Sequence, residues 1–151
     1  MLFQRINRAN PEKVFIVVYN SWSTASLSNG QAVMWDFYTN IDGVGVTRPT
    51  ARATNGGAAA AGIVAETIAS GSYGLLQVYG YHSAVRCRSI TAGAPNIAAG
   101  RPLALNAAGS VWCLESIATG SAVIQVFPCG FALEAAAVWT TTAIKAFIKA
   151  L

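Results

Sequence analysis

Between Gly57 and Ala136 the chain repeats one arrangement: short apolar runs, each closed by a glycine turn, with few polar side chains between them. Gly62–Tyr81 (GIVAETIASGSYGLLQVYGY) and Ala98–Ser116 (AAGRPLALNAAGSVWCLES) show it most plainly. Short runs bounded by such turns suit strands, and many of them in succession indicate a mainly β protein. The expected architecture is a small β-barrel or β-sandwich of short strands with Gly-rich turns, preceded by an extended N-terminal arm.

Val14–Tyr19 (VFIVVY) is β-branched and aromatic and reads as a strand buried on both faces. Ser28-Asn29-Gly30 supplies a turn before the strand Ala32–Phe37, and Asp42-Gly43 supplies another before Val44–Thr47. Further strands are expected at Gly62–Ile68, Gly74–Tyr81, Ala84–Ser89, Pro102–Asn106, Val111–Glu115, Ala122–Phe127 and Gly130–Ala135. The tail Thr140–Leu151 carries a helical stripe (Ala143, Ile144, Phe147, Ile148, Leu151), but its threonines and its β context favour a final strand. Residues 1–12 are polar, of mixed charge and broken by Asn10-Pro11, as in an arm. Residues 13–151 then form a single β-domain, with the loop 48–57 (RPTARATNGG) as the one plausible internal boundary.

A faint echo links Leu27–Asp36 (LSNGQAVMWD) with Ile97–Asn106 (IAAGRPLALN). Both carry a glycine turn that launches an alternating strand ending in Asp or Asn, and a turn device so common does not by itself establish duplication.

Charged residues are only 11% of the chain and hydrophobic ones 54%, against about 25% charged in ordinary domains. Such a chain either buries apolar surface against partners or covers itself with weakly apolar Ala and Gly, as in Ala58–Ala61 and Ala135–Ala137. Burial in an oligomer is the preferred reading. The net charge of +4 is scattered, so direct nucleic-acid binding is not expected. No apolar run reaches the roughly 18 residues of a membrane span. Cys87, Cys113 and Cys129 are far apart, the histidine is single, and no CxxC occurs, so no metal site or cofactor is expected. The odd thiol count, without a signal-like leader, fits a reducing compartment with the thiols as core residues.

Catalytic residues are not expected either. His82 ends an aromatic strand and reads as structural or exposed, because no base or oxyanion feature accompanies it. The six acids form no close pair in sequence. Glu66 and Glu134, each in an apolar run, read as outward-facing strand residues or as intersubunit partners for Arg86, Arg88 or Arg101. Arg86 and Arg88 flank Cys87 and share one strand face.

Taken together, GIVAETIASGSYGLLQVYGY, the AGRPLALNAAG element, VFPCGFALEAA and a closing strand resemble the small β-rich decoration (cement, head-stabilisation) proteins of tailed bacteriophage heads. The resemblance spans residues 57–151, with a looser match over 13–47, and rests mostly on structural turns. It implies a non-enzymatic virion protein, made in the host cytoplasm and bound to the outer surface of an icosahedral capsid. It further implies a homotrimer that clamps adjacent major capsid protein subunits against the pressure of packaged DNA. The resemblance transfers no binding residue. Physical candidates for capsid or intersubunit contact are Phe3, Arg5 and Arg8 in the arm and Trp22 and Arg48 in loops, beside Glu66, Arg86, Arg88 and Glu134. The competing expectation is a receptor- or glycan-binding β-module of a fibre or spike, using exposed Trp and Tyr rings. A hydrolase built on His82 is the third.

Overall fold

The computed structural model describes residues 12–39, 42–49, 59–89, 96–106, 113–116, 128–137 and 141–150. Phe3, Arg5 and Arg8, most of the 48–57 loop and the Ala122–Phe127 run lie outside the described residues. The protein is mainly β, with no α-helix among the described residues. Its strands are β1 (Lys13–Asn20), β2 (Ala32–Trp35), β3 (Gly45–Thr47), β4 (Ala60–Val64), β5 (Tyr73–Ser89), β6 (Asn96–Ile97), β7 (Pro102–Asn106), β8 (Cys113–Ser116), β9 (Gly130–Ala132), β10 (Ala136–Ala137) and β11 (Thr142–Lys149).

Four expectations need correction. Gly74–Tyr81 and Ala84–Ser89 are one strand, since β5 runs unbroken for 17 residues through His82-Ser83. The Gly62–Ile68 strand ends at Val64, which leaves Glu66 in the following turn, and the Gly130–Ala135 strand likewise ends before Glu134. β1 is not buried on both faces: Val18 and Asn20 point inward while Phe15 and Val17 stay exposed. The tail is a strand, as its threonines and β-branching favour.

Nine strands form one sheet in the order β1-β3-β2-β4-β5-β11-β9-β7-β8, with extra pairings β1–β5 and β5–β8. Those two pairings close two rings that share β5. Ring 1 runs β1-β3-β2-β4-β5, and ring 2 runs β5-β8-β7-β9-β11. Each ring has one parallel pair, β1–β3 and β5–β8 respectively, and its other pairs are antiparallel.

The rings are structural repeats of one another, displaced by about 70 residues. Ala32↔Ile63 and Val33↔Gly62 reappear as Pro102↔Phe131 and Leu103↔Gly130. Ile63↔Gln77 and Val64↔Leu76 reappear as Phe131↔Phe147 and Ala132↔Ala146. Gly30 N–H donates to the Val64 carbonyl at 2.8 Å, and Gly100 N–H to the Ala132 carbonyl at 2.8 Å. The Leu27↔Ile68 bridge returns as Ile97↔Ala136. The echo between Leu27–Asp36 and Ile97–Asn106 is therefore one segment of a repeat that extends through both rings.

Two cores follow from this arrangement. Ring 1 encloses Val18, Leu27, Val33, Val46, Ala61, Val64, Ile68, Leu76 and Val78, with contributions from all five of its strands. The second core gathers Val85, Cys87, Leu103, Leu105, Leu114 and Ile144 from ring 2, together with Ala32, Met34 and Ile63 from the outer wall of ring 1. β2 and β4 are therefore buried on both faces and join the two cores.

Gly30 seals the junction between the rings. Its carbonyl accepts the Arg86 N–H at 2.9 Å, on a stretch of β5 beyond the β1 pairing and just before the β8 pairing. Its φ of 81° favours glycine, and a Cβ there would lie 2.2 Å from the Ala84 carbonyl oxygen.

Candidate functional site

The polar groups of this fold hold turns rather than converge on a cleft. Asp36 is buried and accepts from Ser21 Oγ at 2.6 Å and from the N–H groups of Tyr38 and Thr39 at 3.1 and 3.0 Å. Asp42 accepts the Val44 N–H at 2.9 Å. Glu66 and Glu134 occupy the same place in the two repeats: Glu66 accepts the Leu75 N–H at 3.0 Å, and Glu134 the Lys145 N–H at 2.8 Å. Glu134 also pairs with Lys145 Nζ at 3.1 Å. The hydrogen bond from the Lys145 N–H holds the Glu134 carboxyl below its ordinary value, and the shared contact raises Lys145. Both acids thus cap the turn that leads out of a strand, which accounts for their presence in apolar runs.

His82 is buried, and its Nδ1 accepts the Ala84 N–H at 3.1 Å. Burial first, and then the nearby Lys13 charge, lowers its pKa, so the ring is neutral at pH 7. Cys87 and Cys129 are buried thiols of the second core, and burial pushes Cys129 up to about 12. No cluster of three or more His, Cys, Asp or Glu side chains able to hold a metal occurs among the described residues.

Of the contact candidates named from sequence, the fold brings Trp22 and Arg48 together. The guanidinium lies 5.4 Å from the indole ring centroid, across the loops that follow β1 and β3. Arg86 and Arg88 do share one face of β5, outward from the second core that receives Val85 and Cys87. Arg86 lines a groove of about 290 Å³ with Thr141, Thr142 and Ala143. The buried Nε of Arg88 has no hydrogen-bond partner among the described residues.

The most distinctive surface is one the sequence reading missed. On the outer face of β1 and β5, Val17 lies opposite Leu75 and Tyr19 opposite Tyr73, with the two tyrosine rings 5.2 Å apart. Val17 is 62% and Tyr73 67% exposed, and Phe15 and Leu75 are exposed beside them. The same slots in ring 2, found through the Val18↔Gly74 and Val85↔Ile144 registers, hold Ala84, Arg86, Ala143 and Lys145. One scaffold position is thus apolar in ring 1 and small or basic in ring 2, so the fold itself does not require apolar side chains there. The available signal was the alternation of Phe15, Val17 and Tyr19 with Ile16 and Val18, hidden because both sets are apolar.

A second apolar surface lies on the outer wall of ring 2. The Phe131 and Phe147 rings stack at 5.3 Å, and Tyr79 meets Phe147 edge-on at 5.1 Å. Phe131, Pro102, Pro128, Gly100 and Gly130 line a groove of about 230 Å³, with Lys149 at its side. No protein-family model matches the chain, and no curated protein is significantly similar to it.

Proposed function

We propose that the protein is a structural virion protein. It binds the outer surface of an icosahedral phage head and stabilises contacts between major capsid protein subunits, as a self-associating subunit, a homotrimer by resemblance. The observation that supports this reading best is the exposed face formed by Phe15, Val17, Tyr73 and Leu75. A contiguous apolar face on a small domain marks a contact surface. In ring 2 the slots of Val17, Tyr73 and Leu75 hold Ala84, Ala143 and Lys145, so the scaffold itself does not require apolar side chains at these three positions. The test is co-sedimentation of purified protein with undecorated heads. Wild-type protein is expected to pellet with the heads, and Val17→Glu, which places a charge in the middle of the face, to lose at least tenfold in affinity. Failure of the wild type to bind any shell overturns the reading.

One observation favours the glycan- or receptor-binding alternative. Phe37 and Tyr38 form an exposed ring pair, 4.3 Å between centroids, with Tyr38 73% exposed. Binding to a glycan array that disappears in Tyr38→Ala would favour it over head binding.

A further inference from the structure

The two repeats share one scaffold but differ in what covers them. Ring 1 presents Gly30, Ala32, Ile63 and Gln77 on its outer wall, and all four are buried. Ala32 and Ile63 belong to the second core, and Gly30 lies against β5 at Ala84. The equivalent residues of ring 2 are Gly100, Pro102, Phe131 and Phe147. Gly100 is exposed and a Cβ there would meet nothing within 4 Å, Phe131 is 39% exposed where Ile63 is 1%, and Pro102 and Phe147 are half-buried. Gly100, Pro102 and Phe131 line the apolar groove, and Phe147 stacks on Phe131 beside it. The reverse holds at the opposite side of the repeat. Leu105 of ring 2 is buried in the core that ring 1 helps to cover, whereas its equivalent in ring 1, Trp35, is only partly buried.

We infer that the Phe131–Pro102–Phe147 wall is the docking surface for a second copy of this chain, which seats the Trp35 side of its ring 1 there. The contact continues the packing that already joins ring 1 to ring 2 within one chain. The groove is apolar, as a repeat-to-repeat contact requires, and the partly buried Trp35 side of ring 1 is the repeat counterpart of the Leu105 side by which ring 2 packs on ring 1. Such a contact uses different surfaces on its two partners, so it propagates head to tail and closes a ring when the rotation allows. This goes beyond head binding: it assigns the surface of self-association and stands on the repeat geometry alone.

Sedimentation velocity of the full chain over a wide concentration range tests it. Wild-type protein is expected to associate reversibly, and Phe131→Glu to weaken association at least tenfold, leaving the 15.7 kDa monomer. Pro102→Glu, on the same wall, is the second variant should Phe131→Glu lose its fold by circular dichroism. An equimolar mixture of Phe131→Glu with Trp35→Arg is expected to form dimers and nothing larger, since each variant keeps one intact surface. Monomeric wild-type protein at every concentration, or unchanged association in both wall variants, overturns the inference. So does association that Val17→Glu abolishes and the wall variants spare. Head binding by Val17→Glu is read separately, so failure of the decoration reading and failure of this one are distinguishable.

Discussion

Gly30 and Gly100 occupy the same position in the two repeats, each with a φ of 81°, yet only Gly30 has a neighbour. Alanine at Gly100 meets the left-handed backbone penalty alone, roughly 1–2 kcal/mol. Alanine at Gly30 meets that penalty and also pushes its Cβ into the Ala84 carbonyl, for a combined loss of roughly 2–5 kcal/mol. Urea midpoints of the two variants measure the difference, and equal losses would mean that ring 2 does not press on Gly30. His82 supplies the pH dependence at this scale. Its folded pKa lies below the unfolded value of 6.5, so the unfolded chain binds the proton more readily. Stability is therefore complete above pH 6.5 and falls as the pH drops through 6.5 towards the lower folded value. Melting curves from pH 7.5 to 5 should show the decline, and His82→Asn, which keeps an acceptor near the Nδ1 position, should flatten it. The Glu134–Lys145 contact acts in a lower window. It contributes above the ordinary carboxyl value of 4.5 and is lost as the pH falls through the depressed folded one. Because that pair is exposed, added salt should erase its share.

At the level of elements, most strands were legible from turn residues and β-branching. Val14–Tyr19, Pro102–Asn106 and the threonine-led tail fall within one to two residues of the observed strands or inside their predicted range. What escaped was continuity. His82-Ser83 looks like a break in an apolar run, but the chain passes there from ring 1 to ring 2 through a register irregularity opposite Ile144–Ala146. The buried histidine is absorbed by its bond to Ala84 N–H. The repeat was only partly legible, for a physical reason. Positions that fix the backbone kept their chemistry: Gly62, Glu66 and Gly30 match Gly130, Glu134 and Gly100. Positions that meet solvent or a neighbour diverged, as in Tyr19 against Arg86 and Ile63 against Phe131. GIVAETI and GFALEAA share only a skeleton of glycine, apolar residues and a capping acid, too plain to be distinguished from chance in one sequence. The outer face of β1 was illegible because its central run Val14–Tyr19 is apolar and aromatic throughout and carries no polar alternation to read.

For the whole molecule, the shared strand and the doubly buried β2–β4 wall predict that the two cores unfold as one cooperative unit. Leu76→Ala in the first core and Leu103→Ala in the second should each cost about 2–5 kcal/mol. Both should leave a single unfolding transition, coincident by tryptophan fluorescence and far-ultraviolet circular dichroism. A two-step melt in either variant would show that the rings unfold separately. The length of β5 has its own consequence. Side chains along a strand alternate sides, so one extra residue inserted after Tyr81 would turn Val85 and Cys87 out towards water and drive Arg86 and Arg88 into the oily centre of ring 2. Loops elsewhere can lengthen at little cost, but this span has a fixed count, and frame-preserving insertions recovered from a random library should be missing from it.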